Sequence, residues 1–192
     1  MAFWQIVSLA VFLIIFISQL WRREWLASKV RYFLGFAVLV ISVIASQMSW
    51  QQYSLWLGTE PSKFLLPPYV SIAYFLQYAM WKFWAPHIVS FLIGLIFFWL
   101  AKYYNKRRGD QFFYSDELYI IWLSIFLVGH PFWIFYLLII FSVILIVSLI
   151  RSLIFKNNTK LPLYYFWLPI AAFVILISKW LSAFSFFYLL KI

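Results

Sequence analysis

Eleven of the fifteen lysines and arginines fall in three short stretches, residues 21–31, 102–117 and 151–162, and the chain between these stretches is almost uniformly apolar. Arg22, Arg23, Lys29 and Arg31 lie in the first, Lys102, Lys106, Arg107 and Arg108 in the second, and Arg151, Lys156 and Lys160 in the third. A helix needs ~20 apolar residues to cross a bilayer, and the intervening runs supply them. Short loops rich in Lys and Arg stay on the cytoplasmic side during insertion. All three stretches should therefore face one compartment, the cytoplasm or an organelle matrix, with the N-terminus opposite. That shared sidedness limits how many spans can separate them.

Composition fixes the class. The chain is 67% hydrophobic and 10% charged, where a soluble domain would carry about 25% charged residues. The expected fold class is all-α: a polytopic membrane helical bundle forming a single domain over residues 1–192. The net charge of +10 suits insertion and contact with anionic lipid head groups. The loops are too short for a nucleic-acid-binding module. With no cysteine in the chain, disulfides, thiolate metal sites and cysteine nucleophiles are excluded. Residues 3–20 are followed by Trp-Arg-Arg-Glu rather than by a small-residue cleavage site, so they read as a retained span.

The charge rule selects six spans, at 3–20, 32–50, 86–103, 116–129, 131–150 and 163–178. If residues 64–84 and 86–103 both spanned, the basic stretch 102–117 would be exported. Residues 64–84 carry Pro67-Pro68 and many Tyr, Trp and Gln residues, which favour the membrane interface. They are expected to be interfacial or re-entrant. Residues 118–150 are too long for one span, and Gly129-His130-Pro131 divides them, because Pro breaks the helical ladder and Gly permits the turn. Ser115-Asp116-Glu117 supplies an acidic start to the short helix before that break.

Chemistry has few carriers. The acids are Glu24, Glu60, Asp110, Asp116 and Glu117, and four of them lie in the first two basic stretches. Acids are costly near hydrocarbon, and two carboxylates held close can divide acid and base roles. Against that, Glu24 has Arg22 and Arg23 beside it, and Asp116 and Glu117 suit a helix cap. His87 and His130 are far apart in the chain, so neither a metal site nor a cofactor is expected.

The order of elements resembles the membrane core of the prepilin peptidases, or type IV leader peptidases. It runs as a span, a basic loop, two spans, a Gly-Asp loop, a short helix ending in Gly, then two spans. The residues concerned are Ile17-Ser-Gln-Leu-Trp21-Arg-Arg-Glu-Trp-Leu26-Ala-Ser-Lys29, Arg107-Arg108-Gly109-Asp110, and Leu161-Pro-Leu-Tyr-Tyr-Phe-Trp-Leu-Pro. The family uses two aspartates, the second opening the short helix. The resemblance implies Asp110 or Asp116 for the second. Trp21 stands where the family has its first, and Glu24 is the acid one turn on. The implied protein binds, or cleaves, hydrophobic pre-sequence helices at the cytoplasmic face, and the missing aspartate implies catalytic degeneracy. Two other readings stay open: a non-catalytic structural or assembly subunit of a large membrane complex, such as a respiratory or organelle-encoded one, and a small transporter or channel. The expected partners are the lipid bilayer and apolar helices or subunits of other membrane proteins.

Overall fold

The computed structural model describes residues 3–107, 109, 113–155 and 163–184. Among them the chain is helical, with no strand. In order come α1 (Phe3–Trp21), α2 (Arg23–Gly58), a 3₁₀ turn (Ser62–Leu65), α3 (Ile72–Ala79), a π turn (Met80–Trp84), α4 (Ala85–Arg107), α5 (Ser115–Val128), α6 (Trp133–Phe155), a second 3₁₀ turn (Leu163–Tyr165) and α7 (Trp167–Leu181). Among the described residues, four helices are long and apolar enough to cross a membrane: α1, α2, the continuous run Ile72–Arg107, and α6. α7 is a shorter apolar helix.

α1 displays the physics of the bundle. Its buried stripe is Gln5, Ser8, Phe12, Ile15 and Gln19, spaced at three and four residues, which is one helical face. Its outward face carries Ile6, Leu13, Ile14, Ile17 and Leu20. Amides and hydroxyls thus turn inward while aliphatic side chains turn out, the reverse of a water-soluble helix. This inversion suits a lipid surround, where interhelical polar contacts replace the hydrophobic drive. Gln5 Nε2 donates to Ser178 Oγ on α7 at 2.9 Å.

α5 is the axis. It is apolar on every side, and eleven of its fourteen residues are buried, as expected for a helix without a polar face. α1, α2, α4, α6 and α7 all pack on it. On α4 the stripe Ser90, Gly94 and Phe98 is buried. On α2 the stripe from Leu26 to Ala45 is buried.

Two sequence expectations need correction. The span expected at 32–50 belongs to a single helix of 36 residues reaching Gly58. The segment 64–84, expected to be separate from the span at 86–103, instead contributes residues 72–84 to one run, Ile72–Arg107. Pro86 does not interrupt that run. It lacks the N–H that would bond the carbonyl four residues back, and the π turn just before it absorbs the mismatch. The Ala85 N–H reaches back to the Met80 carbonyl across that turn. α2 and Ile72–Arg107 are each about 54 Å long at 1.5 Å per residue, so their paired outer halves project past the shorter helices. Tyr53 and Trp56 of α2 pack there on Phe75, with ring centroids 5.1 and 5.4 Å apart.

The division at Gly129 is as expected: α5 stops at Val128 and α6 starts at Trp133. Gly129 adopts φ 79°, a backbone that side-chain-bearing residues rarely take, and it abuts the Trp4 ring.

Candidate functional site

The acids Asp116 and Glu117 sit in the first turn of α5, at 8% and 1% exposure. A helix N-terminus attracts negative charge through its unpaired amides and macrodipole. The N-cap is Tyr114, one residue before the expected acidic trio. Its backbone N–H donates to Glu117 Oε2 at 3.0 Å, and the Glu117 N–H returns to the Tyr114 carbonyl at 3.1 Å. Glu117 is therefore engaged in capping. Asp116 has neither a hydrogen bond nor an ion pair among the described residues.

Neighbouring elements close around this turn. Asn105, buried near the end of α4, clasps the backbone of Phe113: Nδ2 donates to the Phe113 carbonyl at 2.9 Å, and the Phe113 N–H donates to Oδ1 at 3.0 Å. The Phe113 ring lies 6.3 Å from that of Trp167 at the start of α7. Gln19, fully buried near the end of α1, donates from Nε2 to the Tyr164 carbonyl at 2.6 Å. The end of α1, the end of α4, the start of α5 and the start of α7 thus meet at one end of the bundle.

Glu24 lies in the first turn of α2 and is exposed. Among the described residues it has no ion pair, with Arg22 or any other cation. Trp21, at the end of α1, is 87% exposed. Asp110 lies outside the described residues. Of the candidate acids, the structure buries Asp116 and leaves Glu24 on the surface.

Glu117, Asn105 and Gln19 were not singled out as site residues from the sequence. Gln19 carried a signal, because it falls in phase with the apolar stripe of α1. Asn105 carried none, being one polar residue within a basic stretch.

At the opposite end, His87 meets the Trp4 ring edge-on at 5.7 Å, and His130 Nδ1 accepts from Trp133 Nε1 at 3.2 Å. No cluster of three or more His, Asp or Glu able to hold a metal occurs among the described residues.

Fold and site together define a class: an all-helical bundle with helices of membrane-crossing length around a short buried helix with an acidic first turn. Comparison with family models, curated proteins and solved structures gives no match.

Proposed function

We propose that this is a six-span integral membrane protein with the architecture of a catalytically degenerate prepilin peptidase, and that it binds apolar helices of other membrane proteins at the cytoplasmic face. The observation that carries this reading is the placement of Asp116. It opens a short helix enclosed by five others, and that helix ends at a glycine, as the resemblance implies for the second aspartate. The exposure of Trp21 and Glu24 supports degeneracy, since neither supplies a buried second carboxylate beside Asp116. α5 and α7 would be the two short spans, held within the bundle. The meeting of the α1, α4, α5 and α7 ends supports a shared side for the three basic stretches, and positive charge assigns that side to the cytoplasm.

A narrow apolar crevice of about 190 Å³ between α2 and α4, floored by Phe126 and reaching His87 in the half of the bundle away from Asp116, supports contact with the membrane-embedded part of such a helix rather than with its cytoplasmic end. Ser42 and Ala45 line it, and small residues let another helix approach closely.

The test uses purified protein in detergent micelles and a fluorescent peptide with a basic leader followed by an apolar helix. The expected result is retention of the peptide without cleavage. Cleavage that Asp116→Asn abolishes would overturn the degeneracy. Retention no better than that of a scrambled, equally apolar peptide would overturn the reading as a whole.

A second reading, a non-catalytic subunit of a large membrane complex, draws on the exposed aromatic residues Trp50, Tyr69 and Trp81 of the projecting hairpin. It predicts co-purification with stoichiometric partners in a mild detergent.

A further inference from the structure

One face of the projecting helix holds a shallow, open pocket that the helix-binding reading does not use. Tyr74, Gln77, Tyr78, Trp81 and Lys82 line an open space of about 460 Å³. Their spacing of three, four, seven and eight residues puts them on one helical face. The pocket's aromatic wall is braced from behind by Trp56 of α2, whose ring centroid lies 4.8 Å from that of Tyr78 and 6.3 Å from that of Tyr74. The Lys82 ammonium donates to the Tyr78 hydroxyl and stands 5.0 Å above the Tyr78 ring and 5.6 Å from the Phe83 ring. A single cation is thus held beside an open aromatic surface whose other polar groups are neutral.

Depth identifies the ligand. Lys82 and Lys102 lie on one continuous helix, twenty residues apart, which is about 30 Å, the thickness of the bilayer hydrocarbon. With Lys102 at one head-group layer, Lys82 reaches the other. Trp81 then falls at the depth where aromatic rings sit between hydrocarbon and head groups, while Tyr78 and Tyr74 stand about 6 and 12 Å farther out along the helix. Lys82 and the more distant Lys63 are the only basic residues between the first two basic stretches.

We propose that this pocket binds the phosphodiester head group of an anionic phospholipid in the leaflet opposite the basic loops. Lys82 and the Tyr78 hydroxyl contact the phosphate, Trp81 packs on the glycerol beneath it, and Tyr74 flanks the outer part of the head group. The proposal rests on Ile72–Arg107 being a span, and it is independent of the peptidase resemblance.

The test places the full chain in phosphatidylcholine nanodiscs doped with phosphatidylglycerol and reads the phosphatidylglycerol retained on the protein by native mass spectrometry. Lys82→Gln should weaken retention roughly fivefold, as expected for one cation at a membrane surface. Tyr78→Phe should weaken it less, and Lys63→Gln should leave it unchanged. Equal losses from Lys82→Gln and Lys63→Gln, or no loss from Lys82→Gln, would overturn the proposal. Displacement of the lipid by soluble glycerol phosphate would also overturn it, showing a free phosphate site instead. Labelling of Ser62→Cys and Lys106→Cys from opposite sides of the vesicle by a membrane-impermeant maleimide reports on the span separately, so failure of the span and failure of the pocket are distinguishable.

Discussion

A methyl group on Gly94 of α4 would overlap Cδ1 of Trp122 on α5 and stand 3.1 Å from the Trp122 carbonyl oxygen. The indole is fixed in that position by its Nε1–H, which donates to the Phe91 carbonyl at 3.1 Å. The contact between the central helix and its broadest neighbour therefore depends on a missing side chain. Gly94→Ala should destabilise the protein by about 1–3 kcal/mol through overpacking. Gly35 provides the contrast, because a methyl group there would meet nothing within 4 Å. Gly35→Ala should be neutral or stabilise by about 0.5–1 kcal/mol, the helical advantage of alanine. Thermal melts of both variants in one detergent check the pair. Equal effects at the two sites would show that the Trp122 contact does not decide the outcome.

The Glu117 carboxylate caps α5 through the Tyr114 N–H. Glu117→Ala removes that acceptor and should cost about 0.5–2 kcal/mol, the usual range for losing a cap. Asp116→Asn keeps the side-chain shape and removes no hydrogen bond among the described residues. It should leave the melting temperature nearly unchanged. A large loss from Asp116→Asn would assign Asp116 a structural role.

Asn105 makes two bonds to the backbone of one residue, the N–H and C=O of Phe113. Leucine fills similar volume and offers neither partner. Asn105→Leu should cost about 1–3 kcal/mol, because a buried donor and acceptor lose their partners. Limited proteolysis should then cut the connection between α4 and α5 faster than in the parent protein. An unchanged cutting pattern would contradict the clasp.

The bond from Gln5 to Ser178 joins α1 to α7 inside the bundle. Interhelical hydrogen bonds in membranes are worth about 0.6 kcal/mol on average. A double-mutant cycle with Gln5→Leu and Ser178→Ala should return a coupling of that order. A coupling of zero would mean that the bond merely fills space.

The elements best read from the sequence are those whose signals are local. The run from Phe3 and the break at Gly129 follow from hydropathy and from one glycine with positive φ. α5 follows because Gly129 ends it and the acids open it. The ends of α2 and the start of the Ile72–Arg107 run escaped because tertiary contacts decide them. Gln51, Gln52 and Ser54 read as a loop by composition, yet Tyr53 and Trp56 keep that stretch helical by packing on Phe75 and Tyr78. Pro86 read as a boundary because a π turn leaves no sequence mark. In the site, burial at the start of α5 could be foreseen for Asp116, since it begins a wholly apolar helix. The Asn105 clasp could not, because it joins a side chain to a backbone eight residues on.

The central claim is topological: the end of the bundle that holds Asp116 faces the cytoplasm together with the basic stretches, and the α2–α3 connection faces the other side. The chain has no cysteine, so single replacements can be labelled without background. Ser28→Cys, Lys106→Cys and Ser62→Cys, each made alone, should be treated with a membrane-impermeant maleimide on intact and on permeabilised cells. The account predicts that Ser62→Cys labels in intact cells, and that Ser28→Cys and Lys106→Cys label only after permeabilisation. Labelling of Lys106→Cys and Ser62→Cys from the same side would contradict it, because Ile72–Arg107 would then not cross the membrane.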